Sequence, residues 1–308
     1  MKPIRCLAFA ALCALSAPAM AETLRVSGIY PADSDAAAAV RVLAVEQFGG
    51  ESGPDLSFRI EDALRGAVLQ GEPWLRVVPY GPDGSVQAVL RGTSAIEERV
   101  QNYTEEHERC IKDGDGKCTP AKEKYQARCK RRTIELLPRM RLLGPDGTLL
   151  WSDNSMESLT DSWCDDSTTA PRQRGAIVRE LADRVARRIV GDFVPRALRD
   201  DVRVDESRKG LNKSDSDRFK AAVRKVKDRD APGACADWGS LAQANPAHLP
   251  SLFNLGLCAE SAGDDAAAQG HYRQVLAIDP RNDKALGRLD RIAARERARR
   301  QIQAHTAA

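Results

Sequence analysis

His107 stands among Glu105, Glu106 and Glu108, with Cys110 three residues on. Imidazole, carboxylate and thiolate are metal-ligand types. A disulfide at Cys110 would remove the sulfur, and the surroundings read as a solvated acidic helix. "DGDGK" at 113–117 begins like a calcium loop, but Lys117 takes the place of a ligand and Cys118-Thr119 follow, so a tight turn is expected. "GGESGP" at 49–54 precedes a helix and could cradle an anion, yet it lacks the Lys-Ser/Thr of a phosphate loop. Ser27, Ser155 and Ser162 have no nucleophile elbow around them. The four histidines, His107, His248, His271 and His305, form no convergent set. No catalytic residue, cofactor-binding residue or metal ligand is therefore assigned, no cofactor is expected, and the chain reads as a non-enzyme. A hydrolase with an unrecognised site is the alternative kept open; it would need a nucleophile and a base in contact within a polar pocket.

Cysteines carry the firmer chemistry. The chain opens with Lys2 and Arg5, then an apolar run from Cys6 to Leu15, then Ala19-Met20-Ala21. That is the order of a secretory signal peptide cut after Ala21. Cys13 follows Leu12, with apolar residues beyond it, so no lipid anchor is expected. Removal of residues 1–21 leaves Cys110, Cys118, Cys129, Cys164, Cys235 and Cys258. An even number in an exported chain reads as three disulfides. Cys110 and Cys118 close the small "CIKDGDGKC" loop. Strands paired about a "GPDG" turn at 144–147 would put Cys129 opposite Cys164. Cys235 and Cys258 remain for each other.

The whole chain has 47 Lys and Arg against 44 Asp and Glu, and two of the basic residues leave with the leader. Such a balance argues against an electrostatically driven nucleic-acid binder. No later segment is apolar for long enough to span a bilayer, so no transmembrane span is expected. "CKRRT" at 129–133 and "RIAARERARR" at 291–300 read as solvated or frayed basic stretches rather than polyanion sites.

These residues need elements to hold them. "VRVLAVEQF" at 40–48 predicts a buried strand. Asp55 is placed to cap a helix with the stripe Leu56, Ile60, Ala63, Leu64, Ala67 and Val68. "WLRVVPY" and "VQAVLRGTS" predict two more strands, separated by a "GPDG" turn at 81–84. The polar stretch from Ile96 to Arg132 has no sustained alternation and reads as a broken helical or loop insertion. Ile134, Leu136, Met140 and Leu142 share one face of a strand whose Pro138 implies an edge or bulge. "TLLWSDNSMESLTDSWC" returns beside it. Ile177, Val178, Leu181, Val185, Ile189 and Phe193 stripe a helix stopped by Pro195.

Two resemblances follow from these residues. Leu252, Leu255-Gly256, Ala259, Gly263, Ala268, Tyr272, Val275 and Pro280 resemble a tetratricopeptide repeat. Ala234, Trp238, Leu241 and Pro246, 34 residues earlier, match half of another. The likeness covers about 213–297. It implies that the helices bearing Cys235 and Cys258 are neighbours. If the chain is a binding protein, Arg218, Arg224, Asn254 and Leu257 are candidate exposed contacts. The order from "VRVLAVEQF" to "FVP", over about 40–195, resembles the curli-secretion-channel (CsgG)-like and N-terminal-TolB-like group of bacterial envelope domains. That resemblance implies envelope assembly or secretion through binding of other proteins. The chain lacks the lipid-anchor cysteine common in that group.

The expected architecture is α+β, a small sheet with packed helices followed by an all-α helical-hairpin domain. The boundaries are a signal peptide at 1–21, an α/β domain at 22–195, a linker at 196–214, and repeats with a capping helix at 215–300. The expected protein is a periplasmic, non-enzymatic binding or scaffold protein whose partner is an envelope protein of unknown identity. An accessory subunit of an envelope assembly or secretion complex is the alternative. The oligomeric state is open.

Overall fold

The computed structural model describes residues 22–80 and 86–307. The leader and the 81–84 turn lie outside the described residues. In chain order the elements are β1 (Thr23–Tyr30), α1 (Asp35–Ala38), β2 (Val42–Val45), α2 (Gly53–Arg65), β3 (Val68–Leu69), β4 (Glu72–Pro73), β5 (Arg76–Val78), β6 (Ala88–Lys112) and β7 (Cys118–Leu143). There follow β8 (Leu149–Asp153), β9 (Glu157–Cys164), α3 (Arg174–Phe193), β10 (Arg196–Arg203), α4 (Lys213–Lys227), α5 (Ala231–Ala244), α6 (Leu249–Ser261), α7 (Asp265–Ile278) and α8 (Asp283–Ala307). The fold is α+β with a helical C-terminal region. Among the described residues the chain packs as two compact units: one of 28–198 with 291–307, and one of 199–290 with 22–27. Residues 196–203, expected as the start of a linker, form β10, which pairs with β1.

The sheet unit has the strand order β5-β2-β6-β7-β8, with β9 also paired to β7. β2 runs parallel to β5 and β6, and β6, β7 and β8 are antiparallel. Leu56, Ile60 and Leu64 of α2 and Ile177, Leu181, Val185, Ile189 and Phe193 of α3 are fully buried in one core with Leu43, Leu90, Ile134, Leu136, Met140 and Leu142. The spacing of each helical stripe is what aims it at the sheet. Truncating one such side chain, Ile60→Ala for example, costs about 2–5 kcal/mol. The start of α2 differs from the expectation at Asp55. The cap position is Ser52, Pro54 sits in the first turn, and Asp55 pairs with Arg59 at 2.8 Å.

The returning strand is two strands. β9 pairs with β7 from Cys129↔Cys164 to Leu136↔Glu157, and β8 pairs from Met140↔Asp153 onward. Pro138 falls in the gap between them, opposite Ser94 of β6. β7 is therefore an inner strand, not the edge that Pro138 suggested. The proline sits where neither β8 nor β9 pairs with it, a place where a missing donor costs little.

The largest departure is the stretch from Ile96 to Arg132. It is neither helix nor loop. β6 and β7 continue through it as a two-stranded ribbon, paired from Val89↔Leu143 to Cys110↔Lys122, with a register shift before Lys112↔Cys118. Period-2 alternation marks a strand only when one face is buried. Here most side chains on both faces are exposed, so the pattern has no reason to alternate. Cross-strand charge pairs take its place: Glu106 with Lys124 at 2.8 Å, Glu108 with Lys122 at 3.1 Å and Arg109 with Glu123 at 2.6 Å.

In the helical unit α4 to α7 pack as successive neighbours around Phe219, Trp238 and Tyr272, all fully buried. Gly256 is required by close approach: a Cβ there would lie 2.4 Å from the Tyr272 ring.

Candidate interface on the ribbon and sheet face

Three disulfides join Cys110 to Cys118, Cys129 to Cys164 and Cys235 to Cys258. These are the pairs the sequence suggests. The first closes the ribbon tip, with Cα atoms 5.4 Å apart. Within that loop the Asp113 carboxylate accepts the backbone N–H groups of Asp115 at 3.0 Å and Lys117 at 2.9 Å. An aspartate folded onto its own turn this way is turn chemistry rather than an open calcium loop. The second disulfide sits at the ribbon root, where β9 ends. The third ties α5 to α6.

At the root, three strands bring polar groups to one face. Tyr103 lies opposite Cys129, Glu105 opposite Ala127, His107 opposite Tyr125, and Cys129 opposite Cys164. His107 Nδ1 is 2.7 Å from Asp166 Oδ2, and its Nε2 is 3.9 Å from Cys164 Sγ. The Tyr125 hydroxyl donates to the same Asp166 carboxylate. The His107 hydrogen bond to Asp166 raises the imidazole pKa above the ordinary value, and the bonds from Tyr125 and His107 hold Asp166 low. His107 is thus on a strand, not on the solvated helix expected. Sequence reasoning missed Tyr125 and Asp166, because their meeting depends on a ribbon it did not see.

The sheet face opposite the helices is open and rich in arginine. Arg91 of β6 lies opposite Arg141 of β7, and Thr93 lies opposite Arg139. Together with Ser152 and Asn154 they line a groove of about 580 Å³. Arg91 is held by Glu46 at 2.6 Å. Arg139 and Arg141 are exposed. Like charges facing each other across strands cost stability, and a guanidinium offers a planar fork to carboxylate or phosphate. The alternation Arg139-x-Arg141 was a legible signal for a solvent face.

"GGESGP" is a packing device. Gly50 has φ +89°, and a Cβ there would lie 2.2 Å from the Ser94 carbonyl oxygen. The Ser52 and Ser94 hydroxyls bond at 2.8 Å in the space left. Of the expected groove contacts on the helices, Arg218 and Arg224 are exposed, but Asn254 and Leu257 are fully buried. The Asn254 amide is spent on the backbone of Asp205, accepting its N–H at 2.8 Å and donating to its carbonyl at 2.9 Å. A histidine and a serine do meet in this unit: His248 Nδ1 is 2.8 Å from Ser251 Oγ. They form the N-terminal cap of α6, and Ser251 is fully buried, so the contact closes a helix end rather than presenting a nucleophile.

The basic stretch at 291–300 is also not frayed. α8 continues to Ala307, and its residues from Arg291 onward pack within the sheet unit. Arg295 is 4% exposed and its guanidinium donates to the Tyr30 hydroxyl at 3.1 Å. Gln301 brackets Ala32, accepting its N–H at 2.8 Å and donating to its carbonyl at 3.0 Å. His305 stacks on Trp74 with ring centroids 3.7 Å apart and bonds the Ala38 carbonyl at 2.9 Å.

No family model matches the chain, and no curated protein sequence matches it. Among solved structures it is similar to a dodecameric PelC variant from Paraburkholderia phytofirmans, at 16% identity and a TM-score of 0.23 over 55% of this chain and 96% of that one. It is also similar to a putative neuraminyllactose-binding hemagglutinin homologue from Helicobacter pylori, at 9% identity and a TM-score of 0.29 over 50% of this chain and 86% of that one. Likenesses at this level do not assign a function. Among the described residues no helix is long and apolar enough to cross a membrane.

Proposed function

We propose that this is an exported, non-enzymatic binding or scaffold protein of the bacterial cell envelope, and that the ribbon and the adjoining sheet face are what it presents to a partner. The observation that carries the reading is the ribbon itself. It is polar on both faces, exposed, and closed by a disulfide at its tip. Elements of this kind contribute little to a core, so a chain gains nothing in burial by extending one. Three disulfides support export, since such bonds persist in oxidising compartments. The Arg91, Arg139 and Arg141 groove favours a partner with exposed carboxylates or phosphates. The close packing of α6 on α7 at Gly256, together with the sequence resemblance to a tetratricopeptide repeat, supports a second, helical binding surface.

The test is crosslinking in the native envelope from photoreactive groups placed at exposed ribbon positions such as Thr104 and Gln126, read by mass spectrometry. Recovery of a specific envelope protein, lost on Arg139→Glu with Arg141→Glu, supports the reading. Crosslinks to nothing but solvent and lipid overturn it. A second reading, an accessory subunit of an assembly or secretion complex, is favoured by the open backbone edge of β6 beyond Ser94, where among the described residues only β7 pairs with it. Unpaired edges are templates for pairing with another chain. Light scattering that finds a ring supports it, and a strict monomer at high concentration opposes it.

A further inference from the structure

At the ribbon root, Glu105 and His107 of β6, Cys129 of β7 and Cys164 of β9 have ligand atoms that all lie within 4.8 Å of one another. Zinc bonds of about 2.0–2.3 Å place the ligand atoms of a tetrahedral site roughly 3.3–3.8 Å apart. Small side-chain rotations therefore close this cluster onto one ion once the two sulfurs are no longer joined. The residue types, two thiols, one imidazole and one carboxylate, suit zinc. Two further observations point the same way. All four ligands come from adjacent strands in fixed register, which pre-positions them. His107 also has the partner that metal-bound histidines carry: Asp166 holds Nδ1 at 2.7 Å, leaving Nε2 facing Cys164 Sγ. Tyr125 donates to that same carboxylate and fixes it in turn. A carboxylate behind an imidazole orients the ring and raises its basicity as a ligand.

We propose that reduction of the Cys129–Cys164 disulfide converts this cluster into a zinc site whose ligands are Cys129, Cys164, His107 and Glu105. The disulfide and the metal are alternative fastenings of the same three strands. The reductant is a dithiol. Its two thiols become a disulfide as Cys129 and Cys164 take up two electrons and two protons. Zinc then binds the two sulfurs as thiolates, and the two protons leave to solvent.

The test uses the full mature chain with cobalt(II) as the spectroscopic probe. Protein reduced anaerobically with a phosphine, which does not compete as a thiol ligand, is compared with oxidised protein. Reduced protein should bind one cobalt with a thiolate-to-metal charge-transfer band and the intense visible bands of tetrahedral geometry, and zinc should displace it. Binding should be at least about 100-fold tighter than to oxidised protein, because thiolates are ligands and a disulfide is not. Cys129→Ser should weaken the charge-transfer band, and Cys129→Ser with Cys164→Ser should abolish it. Asp166→Asn should weaken affinity about 10- to 100-fold while keeping the spectrum, the effect expected of a group behind the ligand. Cys110→Ser with Cys118→Ser should leave the signal intact. The proposal is overturned if reduced and oxidised protein bind cobalt alike, or if the signal survives Cys129→Ser with Cys164→Ser or depends on Cys110 and Cys118. Glu105→Gln is the fold-neutral check, since the residue is exposed; an unchanged affinity and spectrum would remove it from the ligand set and leave the proposed site wrong as stated.

Discussion

The ribbon and the helical unit are held by the same kinds of bond in opposite surroundings. Each has a disulfide, and each has charge pairs. On the ribbon, Arg109 is 62% exposed where it meets Glu123. In the helical unit, the Glu260 side chain is fully buried, receiving Arg288 at 2.7 and 2.5 Å and the Tyr272 hydroxyl at 2.7 Å. Burial beside that carboxylate also pushes the Tyr272 hydroxyl well above its ordinary pKa. Water screens the first pair and supplies alternatives to it, whereas burial keeps water from the second. One region uses charge to stay soluble as an extended strand pair; the other uses it to fix how α6, α7 and the start of α8 meet.

The sharpest way to break the comparison is Glu260→Ala. It takes the carboxylate away from a buried guanidinium and phenol and should cost about 3–5 kcal/mol, read as a lower urea midpoint. Next is loss of the Cys235–Cys258 bridge in a double serine variant. By loop-closure entropy this should cost about 3 kcal/mol. Serines at Cys110 and Cys118 should change global stability far less, because the tip opens without opening a core; hydrogen exchange confined to the ribbon would show it. A global loss equal to that of the helical bridge would erase the contrast.

A third measurement uses pH within the sheet unit. Burial, followed by repulsion from Asp33 and Asp153, pushes the Asp192 carboxyl up to about 6. The folded state therefore holds this proton more tightly than the unfolded chain does. Its stabilisation is complete below the ordinary carboxylate pKa and is lost as pH rises from about 4 through 6. Asp192→Asn should flatten that part of the stability–pH curve, and a curve unchanged by the substitution would assign the slope elsewhere. The smallest effect belongs to the ribbon surface: Glu123→Gln should shift stability by no more than about 0.2–1 kcal/mol.

The same contrast explains what could be read from the residues. The stripes of α2 and α3 were legible because each helix buries one face. The Cys129–Cys164 pair was legible because a turn centre and an antiparallel register suffice to place it. The ribbon was not, since a strand wet on both sides has no reason to alternate. The end of α8 was misread for a related reason. Arginine counts as polar in any pattern, yet Arg295 buries its stem against Gly28 and Tyr30. At the candidate site, His107 and its acidic neighbours were visible in sequence, but Asp166 and Tyr125 reach it only through strand pairing across β6, β7 and β9.

Polar, two-sided strand pairs are prone to slide by a residue. From Tyr103, opposite the root cysteine, to Cys110 at the tip is roughly 23 Å at strand rise; the Cys110–Cys118 bond ties β6 to β7 at the tip, and the Cys129–Cys164 bond ties β7 to β9 at the root. β6 cannot slip along β7 in either direction without breaking the bond at the tip. Whatever meets the tip therefore meets it at a distance set by bond lengths, as along a ruler.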